Sequence, residues 1–265
     1  MGMKVQVAHP GKLRMIFRSK RKNDRVDAQK LAKLLYLDEV PLAFIPTAEI
    51  RQWRSLIEYR QRLVVRRAGI KCRLRALLHD QGLEVPRGLW MRKGLVWLAG
   101  VELPEPVALQ RDLMLEDLTQ GQQRIARVER TLRWWAERMP AVGLLMTIPG
   151  VGPRTAEAVA AYIVEASRFR RNKSVGCYFG MIPCEDTSVK SRFGHITKEG
   201  PPTVRRLVTE ATWQAIRRDA SMRAYFEKVC RGDANRKKIA LIATAHHLLR
   251  AMHAMMSSGE VWRAA

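Results

Sequence analysis

Side chains that could carry out reactions on phosphate are concentrated between residues 180 and 200. Thr187, Ser188 and Ser191 supply three hydroxyl groups there. Four basic or imidazole side chains surround them in the sequence: Lys190, Arg192, His195 and Lys198. A serine that attacks a phosphodiester needs nearby cations to hold the nonbridging oxygens. This segment contains both the hydroxyl groups and the cations. The same composition is typical of an ordinary polar loop, so spacing alone leaves both interpretations open.

Two carboxylates form a second candidate site near the N-terminus. Asp24 and Asp27 stand three residues apart at the start of a predicted helix, so they share one face and could bind a hard cation such as Mg²⁺. A metal bound there would activate a nucleophile and stabilise the leaving oxygen in phosphodiester chemistry. The alternative is that Asp24 caps the helix and Asp27 interacts favourably with the helix dipole.

A glycine-rich turn between residues 148 and 156 resembles a helix-hairpin-helix. Gly150 and Gly152 allow a tight turn, and Pro153 suits the first position of the next helix. The free N–H groups at that helix start, together with the Arg154 side chain, could bind a phosphate. The alternative is a plain glycine-rich connection between two packed helices, and the strong positive charge of the chain favours phosphate binding.

That charge predicts the class of partner. The 265 residues contain 48 Lys and Arg against 25 Asp and Glu, a formal net charge of +23. Seven basic residues and no acidic residue fall between Arg60 and Arg75, and nine basic against three acidic residues fall between Ser167 and Arg206. Such clusters can be solvated helix faces, but a basic domain usually binds nucleic acid.

Composition excludes other classes. Hydrophobic residues make up 47% of the chain, enough for a core, and no apolar run approaches the roughly 18 residues of a membrane span. The four cysteines lie far apart with no C-x-x-C pair, which argues against a zinc ribbon or a disulfide framework. Most of the seven tryptophans fall on apolar helical stripes, which predicts core positions rather than base stacking. We therefore expect a folded cytoplasmic protein with no membrane association.

The elements that must position these groups are mainly helical. Alternation at Val5–Val7 and Leu13–Phe17 predicts two short strands or a strand and a turn. Apolar stripes predict a helix from Asp24, a long helix from Thr47 to about His79 and a second long helix from Leu113 to Trp135. The two long helices, joined by a Gly/Pro-rich segment, suggest an antiparallel coiled-coil hairpin.

Three motifs together resemble one known family. They are N-D-x-x-D-A-x-K-L-A at 23–32, I-P-G-V-G-P-x-T-A at 148–156, and Y-F-G-M-I-P-C-E-D-T-S, G-H-I-T-K-E-G-P and V-R-R-L-V-T-E-A-T between 178 and 212. In this order, over nearly the whole chain, they resemble the insertion-sequence "one-ten" transposase family, which is related to Piv-type DNA invertases. The resemblance implies a mainly α (α+β) chain with a RuvC-like RNase H-fold domain, a coiled-coil hairpin and a helical transposase domain. Applied here, these domains are residues 1–46, 47–140 and 141–265.

The resemblance also implies residue roles and partners. Asp24 and Asp27 fall on the third and fourth Mg²⁺-binding acids of the family pattern, and Ser188 falls on its serine nucleophile, although counting back from Gly194 gives Thr187 instead. Family members have a first Asp and a Glu upstream of the region equivalent to residues 1–17, so the chain looks truncated at its N-terminus. The implied partners are DNA, a structured guide RNA and further copies of the chain, as a dimer or tetramer, at the nucleoid.

Two functions remain open at this point. One is a recombinase that cuts and rejoins DNA through Ser188, and the other is a truncated, non-catalytic DNA- or RNA-binding remnant. A ribosomal or chromatin-like structural protein would explain the charge but not the serine segment.

Overall fold

The computed structural model describes residues 5–16, 23–186 and 192–263. Within these ranges the α-helices are α1 Pro10–Ile16, α2 Asp24–Tyr36, α3 Ala48–Asp80, α4 Arg92–Gly100, α5 Glu105–Glu137, α6 Pro140–Met146, α7 Pro153–Ile163, α8 Ser174–Tyr178, α9 Pro202–Arg218, α10 Ala220–Cys230 and α11 Lys237–Ser258. Two strands, β1 Pro183–Asp186 and β2 Arg192–Ile196, form an antiparallel pair. The prediction of a mainly helical chain is confirmed. In the described ranges, no helix is both long and apolar enough to span a bilayer.

The first compact unit comprises residues 1–49. Its described part holds α1, α2 and an isolated antiparallel bridge between Ala8 and Leu42. The prediction of a strand at Leu13–Phe17 is wrong, because α1 occupies Pro10–Ile16. Pro10 is preorganised for a first helical position, and the His9 carbonyl accepts the N–H of Leu13 at 3.0 Å. The interpretation of this unit as part of a RuvC-like domain stays a prediction.

The second unit comprises residues 50–265 and includes nearly all of α3 and the whole of α5, each a 33-residue helix. Arg60 pairs with Glu129 at 2.6 Å, and Arg66 lies 3.7 Å from Asp117. Partners on α5 move to lower numbers as α3 proceeds, so the two helices run antiparallel. A small core toward the end of α3 consists of Ile70, Leu74, Leu78, Leu89, Leu98 and Leu118. Coiled-coil packing of this pair stays a prediction.

The other ends of α3 and α5 belong to the main core. Trp53 of α3 is fully buried and stacks on Trp135 of α5, with ring centroids 6.1 Å apart. The same cluster contains Leu145 of α6, Val159 of α7 and Leu248 of α11. Each such buried side chain contributes about 1.5–3 kcal/mol by leaving water. This core contains residues from both sides of residue 140, so these ends of the long helices pack against the C-terminal helices. The predicted domain boundaries stay a prediction.

Polar contacts fix the direction of α3 against α7 and α9. The Glu58 carboxylate accepts hydrogen bonds from the Tyr162 hydroxyl at 2.9 Å and from the Thr203 hydroxyl at 2.5 Å. Arg54 donates to the carbonyls of Ala161 and Tyr162, and its guanidinium lies 4.6 Å from the centre of the Tyr162 ring. Burial and the hydrogen bond to Glu58 raise the pKa of Tyr162 well above its ordinary value, so its hydroxyl remains a donor.

Candidate nucleic-acid interface

The two strands flank the predicted serine segment. In register, Pro183 pairs with Ile196, and Asp186 pairs with Arg192, so the two ends of the connecting segment are held side by side. Thr187, Ser188, Lys190 and Ser191 lie outside the described residues. Of the predicted site in this region, the structure describes the backbone of Arg192 and the whole of Lys198. The sequence predicts a polar loop here, and the hairpin that flanks it was not predicted.

The base of this hairpin is built on close backbone packing. Gly180 and Gly200 both adopt positive φ, at 62° and 71°, and a side chain on either would overlap the facing backbone. The Arg205 guanidinium donates to the carbonyls of Glu199 and Gly200, and the Lys198 N–H donates to the Gly180 carbonyl at 3.1 Å. The Lys198 side chain, predicted to bind nucleic acid, is therefore exposed on a fixed turn.

The predicted glycine turn joins α6 to α7, and its two glycines serve different purposes. Gly150 has φ +92°, and a Cβ there would lie 2.5 Å from the Ala215 nitrogen of α9. The fold itself therefore requires glycine at 150. Gly152 has φ −90°, is exposed and has open space where a Cβ would stand. Nothing in the described packing requires glycine at 152. The absence of a side chain there leaves room for a ligand.

The start of α7 has the backbone donors that the sequence predicts. The N–H groups of Thr155 and Ala156 both turn back to the Gly152 carbonyl at 3.1 Å, and Pro153 has no N–H. In the described contacts this leaves the N–H groups of Gly152 and Arg154 at the exposed end of the helix. A phosphate oxygen is the ligand that such a helix start favours.

The Arg154 side chain has a protein partner. Its guanidinium donates to one oxygen of Glu157 at 2.9 Å, and the Glu157 side chain is only 1% exposed. The other Glu157 oxygen is buried and has no hydrogen-bond partner in the described part of the chain. Burial raises the pKa of Glu157 to about 7, against the smaller opposing effect of Arg154. A nucleic-acid role for Arg154 stays a prediction, and its buried pairing with Glu157 was not predicted.

Glu157 makes stability depend on pH. Its pKa in the folded state, about 7, lies above the ordinary 4.5, so folding is favoured when it carries a proton. This contribution to the free energy of unfolding is about 3 kcal/mol. It is present in full below pH 4.5 and is lost as the pH rises through 7. The Glu157→Gln variant has no ionisable group at this position and should not lose this stability. We therefore expect its free energy of unfolding to exceed that of the unchanged chain by an amount that grows from pH 5 to 8.

Urea unfolding at each pH measures this difference. Glu137→Gln, at an exposed position of α5, is the matched control and should follow the unchanged chain. Since other titrating groups act equally in all three proteins, the difference between the curves isolates Glu157. Parallel curves for Glu157→Gln and the unchanged chain would contradict the assignment.

The two predicted metal ligands lie at the start of α2. Asn23, not Asp24, caps this helix, since its side-chain oxygen accepts the Arg25 N–H at 3.0 Å; the interpretation of Asp24 as the cap is wrong. Asp24 is exposed and Asp27 is half-buried. Over the described ranges, no group of three His, Cys, Asp or Glu side chains could hold a metal ion. Because Mg²⁺ is commonly bound through one or two carboxylates, with water and substrate phosphate as its other ligands, Asp24 and Asp27 as Mg²⁺ ligands stay a prediction.

One basic surface was not singled out from the sequence. Arg124, Arg127, Arg130 and Arg133 are all exposed on α5, spaced three residues apart. Two neighbouring grooves, of about 490 and 600 Å³, are lined by these side chains and share Arg127 and Arg130. The three-residue spacing is visible in the sequence and could have predicted this basic face.

Comparison with known families places both parts of the chain. Residues 142–227 match the profile described as "Transposase IS116/IS110/IS902 family". Residues 2–81 match a second profile, described as "Transposase" and belonging to the DEDD type of the IS110 group. Together the two matches include the glycine turn, the β1–β2 pair and the Asp24–Asp27 helix.

Individual relatives agree with these matches. A "Probable family 20 transposase" of Pseudomonas aeruginosa is 25% identical over 250 residues, covering 91% of this chain and 74% of that protein. The transposase for insertion sequence element IS1111A of Coxiella burnetii is 26% identical, covering 82% and 61% of the two chains. The transposase for insertion sequence element IS1328 of Yersinia enterocolitica is 24% identical, covering 79% and 63%. The chain thus spans about three-fifths to three-quarters of the length of these relatives, and it belongs to the IS110/IS116 family of transposases.

Proposed function

We propose that the chain is a DNA recombinase that binds DNA and cuts and rejoins its strands through Ser188. The observation that carries this proposal is that residues 142–227, matched to the transposase family, contain both the Gly152 helix start and the strand pair flanking Ser188. The net charge of +23 supplies the attraction for DNA phosphates. Counting from Pro183 through Glu185 and Asp186 gives Ser188 as the nucleophile, and counting back from Gly194 gives Thr187 as the alternative.

In the proposed reaction the Ser188 oxygen attacks a backbone phosphorus. A serine phosphoester forms, the bond from phosphorus to one bridging oxygen breaks, and that oxygen leaves with a proton as a hydroxyl. A hydroxyl from another strand then attacks the phosphoester and releases Ser188. Lys190, Arg192 and Lys198 would hold nonbridging oxygens, while the N–H groups of Gly152 and Arg154 would bind another phosphate of the DNA backbone.

Further parts of the proposal come from the family resemblance. They are Mg²⁺ bound with Asp24 and Asp27, a structured guide RNA, assembly as a dimer or tetramer, and action in the cytoplasm at the nucleoid. If Asp24 and Asp27 hold Mg²⁺, water and phosphate oxygens of the DNA would supply the remaining ligands. No step above depends on the metal.

One observation favours a second candidate function. The exposed arginines of α5 and the start of α7 could bind phosphate without any catalytic residue, which favours a non-catalytic DNA- or RNA-binding remnant. The affinity of such a remnant for nucleic acid would fall steeply with salt.

A covalent-adduct assay separates the two functions. The chain is incubated with Mg²⁺, donor and target DNA and the flanking RNA of the element, and the products are resolved under denaturing conditions. The recombinase predicts a protein–DNA adduct, with the modified residue located by mass spectrometry at Ser188. Salt-sensitive binding without an adduct would contradict the recombinase and support the remnant.

A further inference from the structure

A groove of about 420 Å³ lies beside the end of β2, lined by residues of β2, α9 and α11. Its apolar lining includes Met181, which is buried, Ile196 at the end of β2, and Trp213 of α9. Its polar lining includes Lys198 and Arg206. An apolar pocket with a few charged groups is the usual form of a binding site for a small or planar group.

Trp213 is the unusual member of this lining. Its side chain is 40% exposed, whereas Trp53 in the core is fully buried. The Trp213 ring packs against Phe226, with centroids 5.8 Å apart and planes tilted by 56°. The ring is therefore held in place on one side and accessible on another. The prediction that most tryptophans are core residues holds for Trp53, whereas Trp213 lies off the buried stripe of α9.

The charged lining favours an anionic ligand. Arg206 pairs with Glu210 at 2.9 Å, and both side chains are about half exposed, so this pair is close to neutral. Lys198 is exposed, and in the described part of the chain no carboxylate lies within ion-pair distance of it. Its backbone, at φ +56°, is bonded to Gly180, which fixes where its side chain leaves the main chain. Arg205 also lines the groove and donates to backbone carbonyls, and among the described residues it has no carboxylate partner either. The groove thus combines an accessible aromatic ring with two cations whose charge no described carboxylate compensates.

We propose that this groove binds one unpaired nucleotide of a DNA strand, with the base stacked on Trp213 and a phosphate beside Lys198. Base faces in a duplex are covered by their neighbours, so an exposed indole can stack only on a base that has left the stack. The inference rests on the proposed function, because strand exchange next to the β1–β2 pair exposes such bases. The groove lies at the base of the β1–β2 hairpin, at the end of β2 opposite the one that joins the proposed serine segment.

Binding of a single-stranded oligothymidylate tests the proposal. Because stacking of a base on an aromatic side chain strengthens single-strand binding, Trp213→Ala should weaken that binding by about five- to 150-fold. Trp213→Phe, which keeps an aromatic ring and the contact with Phe226, should stay close to the unchanged chain. Affinity for duplex DNA should be the same in all three proteins. Lys198→Gln should lower the slope of log affinity against log salt by about 0.7 on single strands.

Controls separate stacking from folding. Trp134→Ala removes another exposed tryptophan, which is 48% accessible on α5, and should leave single-strand affinity unchanged. An oligonucleotide carrying 5-bromouracil should crosslink to the peptide containing Trp213. Equal single-strand affinity of Trp213→Ala and the unchanged chain, equal loss on duplex DNA, preference for an RNA oligonucleotide, or crosslinks confined to other peptides would each overturn the proposal. None of these readouts requires an adduct, so a failure here is distinct from a failure of the recombinase function.

Discussion

Ser188→Ala is expected to abolish the protein–DNA adduct and to lower strand transfer by at least about a thousandfold. The reason is chemical, because alanine has no oxygen with which to form the phosphoester, and water attacking instead would hydrolyse the strand without conserving the bond. DNA affinity should change by less than about twofold, since one hydroxyl contributes little beside a net charge of +23. Denaturing gels of the strand-transfer products and filter binding of the same DNA measure the two quantities.

Two neighbouring hydroxyls provide matched controls for this prediction. Ser191→Ala should leave both the adduct and strand transfer intact, because the family resemblance implies no role for this residue. Thr187→Ala tests the alternative count from Gly194: if it removes the adduct and Ser188→Ala does not, the nucleophile is Thr187. Strand transfer that persists in both variants would overturn the serine or threonine mechanism as a whole.

The long helices were predictable from the sequence because their signals are local. The stripe from Ile50 to Leu74 repeats at helical spacing, and α3 extends from Ala48 to Asp80, close to the predicted limits of Thr47 and about His79. The glycine turn and Pro153 also predicted the start of α7 correctly. In each case the periodicity or the turn residue lies within one element, so distant contacts were not needed to interpret it.

Some features were not predicted, for local or for distant reasons. The alternation at Leu13–Phe17 predicts a strand, but the preceding Pro10 starts a helix. The partner of Arg154 is a glutamate one helical turn away that interacts with Arg60 of α3 and Glu129 of α5, and no local pattern shows its burial.

The candidate site shows the same difference between local signals and distant contacts. Lys198 and Gly152 were predicted and are exposed where a phosphate could reach them, whereas the carboxylates of Asp24 and Asp27 have no third partner in the described ranges. Sequence spacing can place two groups on one face, but it cannot bring in a ligand from a distant segment.

Gly150→Ala is expected to lower the free energy of unfolding by about 2–6 kcal/mol, a large share of the stability of a typical domain. Two costs combine: alanine is strained at φ +92°, and its Cβ would lie 2.5 Å from the Ala215 nitrogen, so α9 or the turn must move. Gly152→Ala, two residues along the same turn, is the matched variant. With φ −90° and open space around it, it should cost less than about 1 kcal/mol, chiefly because alanine is a poor N-cap.

The pair also separates a structural glycine from a binding glycine. The added methyl of Gly152→Ala would stand beside the N–H groups of Gly152 and Arg154 and obstruct a phosphate there, so we expect DNA affinity to fall about three- to tenfold. Urea unfolding and DNA binding of both variants make the comparison. If a folded Gly152→Ala chain binds DNA as tightly as the unchanged chain, the turn is a connection between helices and does not bind DNA. A Gly150→Ala chain of unchanged stability would contradict the packing of this turn on α9, and with it the placement of the α7 start that the proposed DNA contact requires.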